Sequence, residues 1–415
     1  MKIQRRLLAA AMISAGLLGH GLAIAADDTI KIGLLATFEG PFTVLGEDGL
    51  RGAMVAINEF QGKAGGKKIE IVRGSSDASP DSALKAARKL VEQDKVTVLV
   101  GPLSGDEGLA LKDYAKTQPK VTFINGTSAA QDTTLRNPAP NFFRFSTDGA
   151  QWMAGLGTYA YQVKKYKKAA VVAEDYSFPY TQVFGFMAEF CKAGGKVPSK
   201  SWVPIGTKDY SSVIAAIPDN VDAIYVALGG ADAVNFLSQY QRAGGKAPLI
   251  GGSITVDQTV LTAKGKLRDV LIGTPSAGPI ADTNNTPAWN SFVAEYKKEK
   301  GAFPSPSLFA HGYYVDMKAT ILGLNAVGGD TSDGGAKLRA ALSKLSFDTP
   351  TGKVSLDANR NAIADIYLTE VVAGADGNLV NKLVKVVPQV NQTLGIPAKD
   401  FLALGVVGRD NPSCK

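Results

Sequence analysis

Residues 96–125, VTVLVGPLSGDEGLALKDYAKTQPKVTFIN, decide the fold class of this chain. Two short runs of apolar and β-branched residues, Val96–Val100 and Val121–Asn125, flank a longer amphipathic stretch. Ser104 stands between the first run and that stretch, where the N-cap of a helix is expected. The segment therefore predicts a strand, a helix and a second buried strand, which together form the βαβ unit of a parallel sheet.

The same alternation extends over the rest of the chain and then restarts after Phe145. On the amino-terminal side it predicts strands at Ile30–Ala36 and Lys68–Arg73 and helices at Gly46–Gln61 and 80–93. After Phe145 it predicts helices at Ala150–Tyr166, Tyr180–Gly194 and Ala231–Ala243 and strands at Ala169–Ala173, Ala223–Ala227, Leu249–Gly251 and Val270–Thr274. The predicted class is α/β, with two doubly wound, mostly parallel α/β lobes.

Long helices at Pro287–Lys300 and Ser307–Val327 are best assigned to the first lobe again, so that the chain crosses between lobes three times. The resulting boundaries give a first lobe of residues 26–146 and 278–355 and a second lobe of residues 147–277 and 356–415.

The amino terminus has the composition of a secretory signal peptide. Basic residues in the first six positions precede an apolar run, Leu7–Ile24, which closes with Ala23-Ile24-Ala25. This pattern predicts cleavage after residue 25. No cysteine stands at that point to carry a lipid anchor. We therefore expect an exported, freely soluble protein.

Charge and composition exclude several functional classes. Without residues 1–25 the 45 basic residues fall by three to 42, against 38 acidic residues, so the charge is nearly balanced. No basic stripe interleaved with aromatic residues indicates nucleic-acid binding. The remaining chain keeps one histidine, His311, in a helix that reads as buried, and it has neither a phosphate-binding loop nor a nucleophile elbow. We therefore expect no enzyme activity, no cofactor and no metal site.

Two cysteines, Cys191 and Cys414, are the only ones in the chain. In an oxidising compartment a single disulfide between them is expected, and two free thiols are the alternative.

A ligand site is expected where the loops after the strands of both lobes meet, because helix starts and free backbone amides collect there. Small residues in these loops admit a ligand to the backbone, hydroxyl groups can orient it, and aromatic rings offer flat apolar walls. Each loop taken alone could equally be an ordinary capping turn. The candidate ligand-binding residues are Phe42, Ser104, Gly105, Asp106, Thr127, Ser128, Ala129, Tyr176, Phe178, Gly230, Asp232 and Ser253.

Several segments, in order and spacing, resemble the periplasmic leucine/isoleucine/valine-binding protein family. They are 32–35 (IGLL), 40–42 (GPF), 98–105 (VLVGPLSG), 123–128 (FINGTS), 173–176 (AEDY) and 229–232 (GGAD). The resemblance implies a type I periplasmic-binding fold with a three-segment hinge, closure around a small ligand, and transfer to the permease of an ABC importer in the inner membrane. It also implies a monomer whose carboxylate-holding loops are 104–106 and 127–129.

One departure from the family bears on the ligand. Amino-acid-binding members carry an acidic residue in the second lobe against the ligand ammonium, and Ser253 stands at that position. A buried ammonium group without a carboxylate would cost on the order of several kcal/mol. The sequence thus favours a small carboxylate, most of all an aromatic acid of the benzoate or cinnamate type. The alternative is a branched-chain or other apolar amino acid, with Asp106, Asp232 or Asp257 supplying the charge.

Overall fold

The computed structural model describes residues 29–263 and 270–414, so the predicted signal peptide lies outside the described residues. The strands in chain order are β1 Thr29–Thr37, β2 Lys63–Ala64, β3 Lys67–Ser76, β4 Val98–Val100, β5 Thr122–Ile124, β6 Phe142–Phe143, β7 Ala169–Glu174, β8 Lys200–Val203, β9 Ala223–Ala227, β10 Leu249–Gly251, β11 Pro275–Gly278, β12 Phe347–Thr349, β13 Gly352–Leu356, β14 Ala362–Ala373 and β15 Leu379–Val390. The α-helices are α1 Thr43–Glu59, α2 Pro80–Arg88, α3 Gly105–Thr117, α4 Gly149–Trp152, α5 Leu156–Gln162, α6 Ser177–Lys192, α7 Ser211–Ala215, α8 Gly230–Arg242, α9 Gln258–Leu261, α10 Pro287–Tyr296, α11 Leu308–Ala326, α12 Ala336–Leu342 and α13 Ala398–Ala403.

The described strands form two sheets. The first has the order β2-β3-β1-β4-β5-β6, and all its pairs except β2 with β3 are parallel. The second has the order β12-β13-β14-β11-β10-β9-β7-β8, with β15 paired to β14. The pairs formed among β11, β10, β9, β7 and β8 are parallel. Strand β14 pairs antiparallel with β11, β13 and β15, and β12 pairs antiparallel with β13. The predicted class, two mostly parallel α/β lobes, is confirmed.

Helices α10 and α11 pack on the first sheet although they follow β11 of the second sheet in the chain. Trp289 and Tyr313 lie in the same buried cluster as Ile32 of β1. The approach of α11 to α1 is close, because a Cβ atom placed on Gly52 would lie 1.8 Å from the carbonyl oxygen of Ala310. A glycine at this point lets the two helix backbones approach closely.

The chain passes between the sheets after β6, after β11 and between β13 and β14. The fully buried guanidinium of Arg144 ties two of these crossings together. Its Nε donates to Asn361 Oδ1 at 2.7 Å, and its other nitrogens donate to Ala130 O at 2.7 Å and Thr134 Oγ1 at 2.6 Å. Strand β13 pairs with β14 of the second sheet, yet its residue Val354 packs in the same buried cluster as Ile32 of β1.

The strand predicted at Val270–Thr274 is wrong. Residues 270–272 form a helical turn, Gly273 follows with a φ of +83°, and the strand begins at Pro275. The helix predicted at Ala150–Tyr166 is broken into α4 and α5 at Gly155, whose φ is +86° and whose amide donates to Glu189 Oε1. A left-handed residue cannot continue a helix.

No helix in residues 29–263 and 270–414 combines the length and the hydropathy that a membrane span requires.

Candidate functional site

The candidate cleft lies where the loops after β1, β4 and β5 face those after β7, β9 and β10. In both sheets these loops follow the carboxyl ends of parallel strands. The structure brings six of the predicted residues into this interface: Phe42, Gly105 and Asp106 from the first lobe and Tyr176, Phe178 and Gly230 from the second.

Aromatic rings and glycines make the direct contact between the lobes. The ring centroids of Phe42 and Tyr176 are 6.2 Å apart, and those of Tyr176 and Phe178 are 6.1 Å apart. Gly230 has a φ of +49°, and a Cβ atom there would come within 3.0 Å of Pro41 O. Glycine is suited to such a left-handed position and to so close an approach.

Asp106 forms a polar contact across the interface. Its Oδ1 accepts a hydrogen bond from the backbone amide of Ser177, at 3.0 Å, at the start of α6. A carboxylate is favoured at a helix start, because the unpaired amides and the helix dipole are positive there. The contact therefore helps to hold the lobes together as they stand.

Ser104 acts as a helix cap. Its Oγ accepts from Glu107 N at 3.5 Å and donates to Ala78 O at 2.9 Å, while Glu107 Oε2 accepts from Ser104 N at 2.7 Å. This reciprocal pair is a capping box. Burial raises the pKa of Glu107 to about 7.

The loop 126–130 is held within the first lobe. The amides of Thr127 and Ser128 both donate to Pro102 O, at 3.0 and 3.3 Å, and Thr127 Oγ1 lies 3.5 Å from Leu103 O. The hydroxyl of Ser128 is buried without a hydrogen-bond partner and lies against α3 at Gly108. Ala129 is the member of this loop that contacts the chain after the first crossing, because its carbonyl accepts from Gly149 N at 2.9 Å.

Two buried carboxylic acids of the second lobe stand behind Tyr176. Glu174 Oε1 accepts from Gly229 N at 3.0 Å while Oε2 has no partner, and Asp232 Oδ2 accepts from Gly206 N at 2.6 Å. Burial raises the pKa of both acids, that of Glu174 well above its usual range. Burial and these neighbouring acids also raise the pKa of the Tyr176 phenol. Burial therefore favours the neutral form of Glu174, in which a carboxyl group can donate a hydrogen bond.

Ser253 pairs with a residue that the sequence analysis did not identify. Gln182 Nε2 donates to Ser253 Oγ at 2.6 Å, and Gln182 Oε1 is buried without a partner. Gln182 follows Phe178 by four residues on α6, which places both side chains on one face of the helix. That spacing was the available signal for Gln182. Glu174, also missed, could have been noticed as the one polar residue of the apolar run 169–174.

His311 is buried and 6% exposed, and its Nε2 lies 2.9 Å from Thr351 Oγ1. Burial lowers its pKa to about 3, so the ring is neutral at ordinary pH. It lines a small cavity next to the crossings, together with Trp152 and Pro279.

Cys191 of α6 and Cys414 of the carboxyl-terminal segment are joined by a disulfide. Arg409 of the same segment forms an ion pair with Asp175, directly before Tyr176. The terminal segment is thus tied to the second lobe beside the cleft.

The profile of a family described as periplasmic binding protein matches residues 29–378. A curated relative, Leu/Ile/Val-binding protein homolog 6 of Brucella melitensis, is 26% identical over 360 residues, covering 86% of this chain and 90% of the relative. A solute-binding protein of an R. palustris ABC transporter, solved in complex with benzoate, is 26% identical, with a TM-score of 0.79 and 87% and 98% of the two chains covered.

A second solved structure, a solute-binding protein of a Rhodopseudomonas palustris ABC transporter in complex with 3,4-dihydroxy benzoic acid, is 27% identical. Its TM-score is 0.80, and 88% of this chain and 99% of the other are covered. Both comparisons extend over both lobes and agree with the arrangement of the two sheets. The chain therefore belongs to the type I periplasmic binding protein family and is a substrate-binding protein of an ABC transporter.

Proposed function

We propose that this protein binds a small aromatic carboxylate, of the benzoate or cinnamate type, in the cleft between its lobes. The observation that carries the proposal is the neutral pair formed by Ser253 and Gln182, both buried and joined at 2.6 Å. In the amino-acid-binding members that the sequence resembles, the position of Ser253 is acidic. Without that acid the pair offers no charge to an ammonium group, so a ligand without one fits better.

The walls of the cleft suit a planar apolar ring. Phe42, Tyr176 and Phe178 form a chain of aromatic contacts from the first lobe to the second. Such rings stack or meet edge to face at centroid distances of about 4.5–7 Å, and a ligand ring can take part in the same way. The relatives bound to benzoate and 3,4-dihydroxy benzoic acid, at 26% and 27% identity, support this ligand class.

The carboxylate of the ligand is proposed to lie at loops 104–106 and 127–129. The amides of Gly105 and Asp106 belong to the first turn of α3, where no intrahelical acceptor exists. Ser128 Oγ has no partner, and the 3.5 Å contact between Thr127 Oγ1 and Leu103 O is long enough to give way to a ligand oxygen. These groups are donors for an anion.

A branched-chain or other apolar amino acid is the second candidate, and a different observation favours it. Burial raises the pKa of the Tyr176 phenol, and negative charge on acids of both lobes raises it further: Glu174, Asp106, Glu107 and Asp232. An ammonium group at that point would gain a charged partner from any acid that remains ionised. The curated relative named as a Leu/Ile/Val-binding protein homolog agrees with this alternative.

The wider role follows from the family. We propose a monomeric, non-enzymatic protein of the periplasm that passes its ligand to a permease in the inner membrane. The three hinge segments about which the lobes open and close are then residues 145–148, 274–278 and 354–359.

The test is a thermal-shift panel on protein that has been unfolded and refolded to remove any copurified ligand. Benzoate, 4-hydroxybenzoate and cinnamate are compared with leucine, isoleucine and phenylalanine. A ligand present at a hundredfold excess over its Kd stabilises by about 2.7 kcal/mol, which is readily visible. Stabilisation by the aromatic acids and not by the amino acids supports the proposal. Stabilisation by leucine or isoleucine alone contradicts it and selects the second candidate.

A further inference from the structure

The segment 175–180 carries two of the three aromatic residues of the proposed ligand wall, Tyr176 and Phe178. It begins directly after β7 and includes the first turn of α6. Tyr176 is the N-cap residue of α6, and its side chain makes no capping hydrogen bond. The start of this helix therefore depends on other parts of the chain for its order.

One hydrogen bond to this segment comes from the other lobe. Ser177 N donates to Asp106 Oδ1 of the first lobe, at 3.0 Å. This bond supplies an acceptor at the helix start only while the lobes are together. When the lobes separate, a contact within the second lobe is needed to keep Tyr176 in place.

Arg409 of the carboxyl-terminal segment supplies such a contact. Its Nε donates to Asp175 Oδ1 at 2.7 Å, and its Nη2 pairs with Asp175 Oδ2. The hydroxyl of Tyr180 donates to the same Asp175 Oδ1. A two-pronged pairing of guanidinium and carboxylate fixes direction as well as distance. It therefore holds both ends of the segment that contains Tyr176 and Phe178.

The backbone at Arg409 is fixed by contacts other than this ion pair. Trp202 Nε1 of β8 donates to Arg409 O at 3.3 Å, and the Trp202 ring meets the Tyr180 ring edge to face, with centroids 4.8 Å apart. Farther along the chain, Cys414 is bonded to Cys191 of α6. These contacts reduce the entropy that is lost when the ion pair forms.

The exposure of the ion pair separates a positioning role from a stabilising one. The side chain of Arg409 is 62% exposed, and that of Asp175 is 15% exposed. An ion pair with one largely exposed partner contributes little to the stability of a whole fold. Its effect is therefore expected locally, in the segment that begins at Asp175.

We propose that Arg409 is a positioning residue for ligand binding. Acting through Asp175 and Tyr180, it holds Tyr176 and Phe178 in the arrangement that receives the ligand before the lobes close. Such pre-organisation raises affinity, because less of the protein must be ordered when the ligand binds. The inference rests on the proposed ligand site, but not on which ligand that site takes.

The experiment uses the refolded full chain, with titration calorimetry against benzoate and against leucine. Arg409→Gln should raise the Kd of the probe that the wild type binds by about fivefold or more, because the fork to Asp175 is lost. The Tm of the ligand-free protein should fall by less than about 2 °C. Arg409→Lys keeps the charge and should recover part of the affinity. Arg88→Gln, at an exposed arginine of α2, is the control and should bind like the wild type.

A double-mutant cycle tests whether Arg409 acts through Asp175. The double variant Asp175→Asn, Arg409→Gln should bind no more weakly than the weaker of the two single variants, because each change breaks the same contact. Effects that multiply would overturn the inference, since Arg409 would then act by another route.

Hydrogen exchange distinguishes this inference from the proposed function, because it needs no ligand. In the ligand-free protein, amides of segment 175–180 should exchange about tenfold faster in Arg409→Gln than in the wild type, whereas those of α1 should be unchanged. If the wild type binds leucine and not benzoate, the proposed function fails, yet a weaker leucine affinity in Arg409→Gln still supports the positioning role. If neither probe binds, the exchange result alone decides.

Three results would overturn the positioning role. One is unchanged exchange of segment 175–180 in Arg409→Gln, and another is an affinity equal to that of the wild type. The third is faster exchange in α1 as well, since Arg409 would then stabilise the fold as a whole.

Discussion

At the scale of single residues, burial disfavours the charged form of three acids in the cleft. Glu107, Glu174 and Asp232 are all removed from water, and burial raises the pKa of each. Gln182 and Ser253 carry no charge at any pH and are joined by a buried hydrogen bond. The cleft can therefore be less anionic than its acid content suggests, which makes it compatible with a carboxylate ligand.

Ser253→Glu restores an acid at the position where the amino-acid-binding relatives have one. We expect it to weaken benzoate binding at least tenfold, because a buried charge without a partner must be desolvated near an anionic ligand. Ser253→Ala is the matched control: it removes one hydrogen bond to Gln182 and should change the affinity only a few-fold. Titration calorimetry measures both, and equal benzoate affinity in Ser253→Glu and wild type would contradict the specificity argument.

Glu107 makes the stability of the folded protein depend on pH. Its pKa of about 7 in the fold lies above the usual 4.5, so the native state binds more protons than the unfolded state between these values. Stability from this group is therefore present at low pH and is lost as the pH rises through about 7. Glu107→Gln keeps an oxygen for Ser104 N and cannot ionise.

Between pH 6 and 8 the wild type should lose on the order of 1 kcal/mol of unfolding free energy relative to Glu107→Gln. Urea unfolding at both pH values measures this difference. A difference that stays constant, or that grows in favour of the wild type as the pH rises, would show that Glu107 is not held neutral.

At the scale of elements, glycine contacts set how closely the long helices approach. Gly52 of α1 lies against the backbone of α11 at Ala310. Gly52→Ala should destabilise the protein by about 2–4 kcal/mol, because the clash is with backbone and cannot be relieved by a side-chain rotation. Gly408→Ala is the control, since nothing lies within 4 Å of its added Cβ. Urea unfolding compares them, and similar stability of the two variants would contradict this packing.

Elements with a strong local pattern could be predicted from sequence, and elements that depend on distant partners could not. Strands β9 and β10 match the prediction residue for residue, because each is an apolar run buried in the middle of a sheet. Strand β15 was missed because it pairs only with β14, and Lys382, Lys385 and Pro388 interrupt its apolar pattern. Gln182 was missed for a related reason: its spacing from Phe178 places it on the same helix face, but its contact with Ser253 spans 71 residues and could not be predicted from that local spacing.

At the scale of the whole molecule, the carboxyl-terminal segment ties distant parts together. The bond between Cys191 and Cys414 closes a loop of 223 residues, and Arg136 of the first lobe donates to the carbonyls of Leu402 and Gly405. Long loops gain most from such a closure, because the unfolded chain loses the most freedom. Joint replacement of both cysteines by serine should lower the free energy of unfolding by about 2–5 kcal/mol.

Chemical unfolding of that double variant beside the wild type checks the effect, and the wild type under reducing conditions should approach the variant. Unchanged stability in both experiments would mean that the disulfide only fastens the tail.

The closure of two lobes on a ligand is the central claim, and small-angle X-ray scattering tests it most directly. The refolded, ligand-free protein is compared with protein saturated by the best ligand from the thermal-shift panel. The contacts between Phe42 and Tyr176 and between Asp106 and Ser177 require the lobes to be together, so we predict a smaller radius of gyration with ligand. An unchanged radius of gyration, with calorimetry showing that the ligand is bound, would contradict closure as the mechanism.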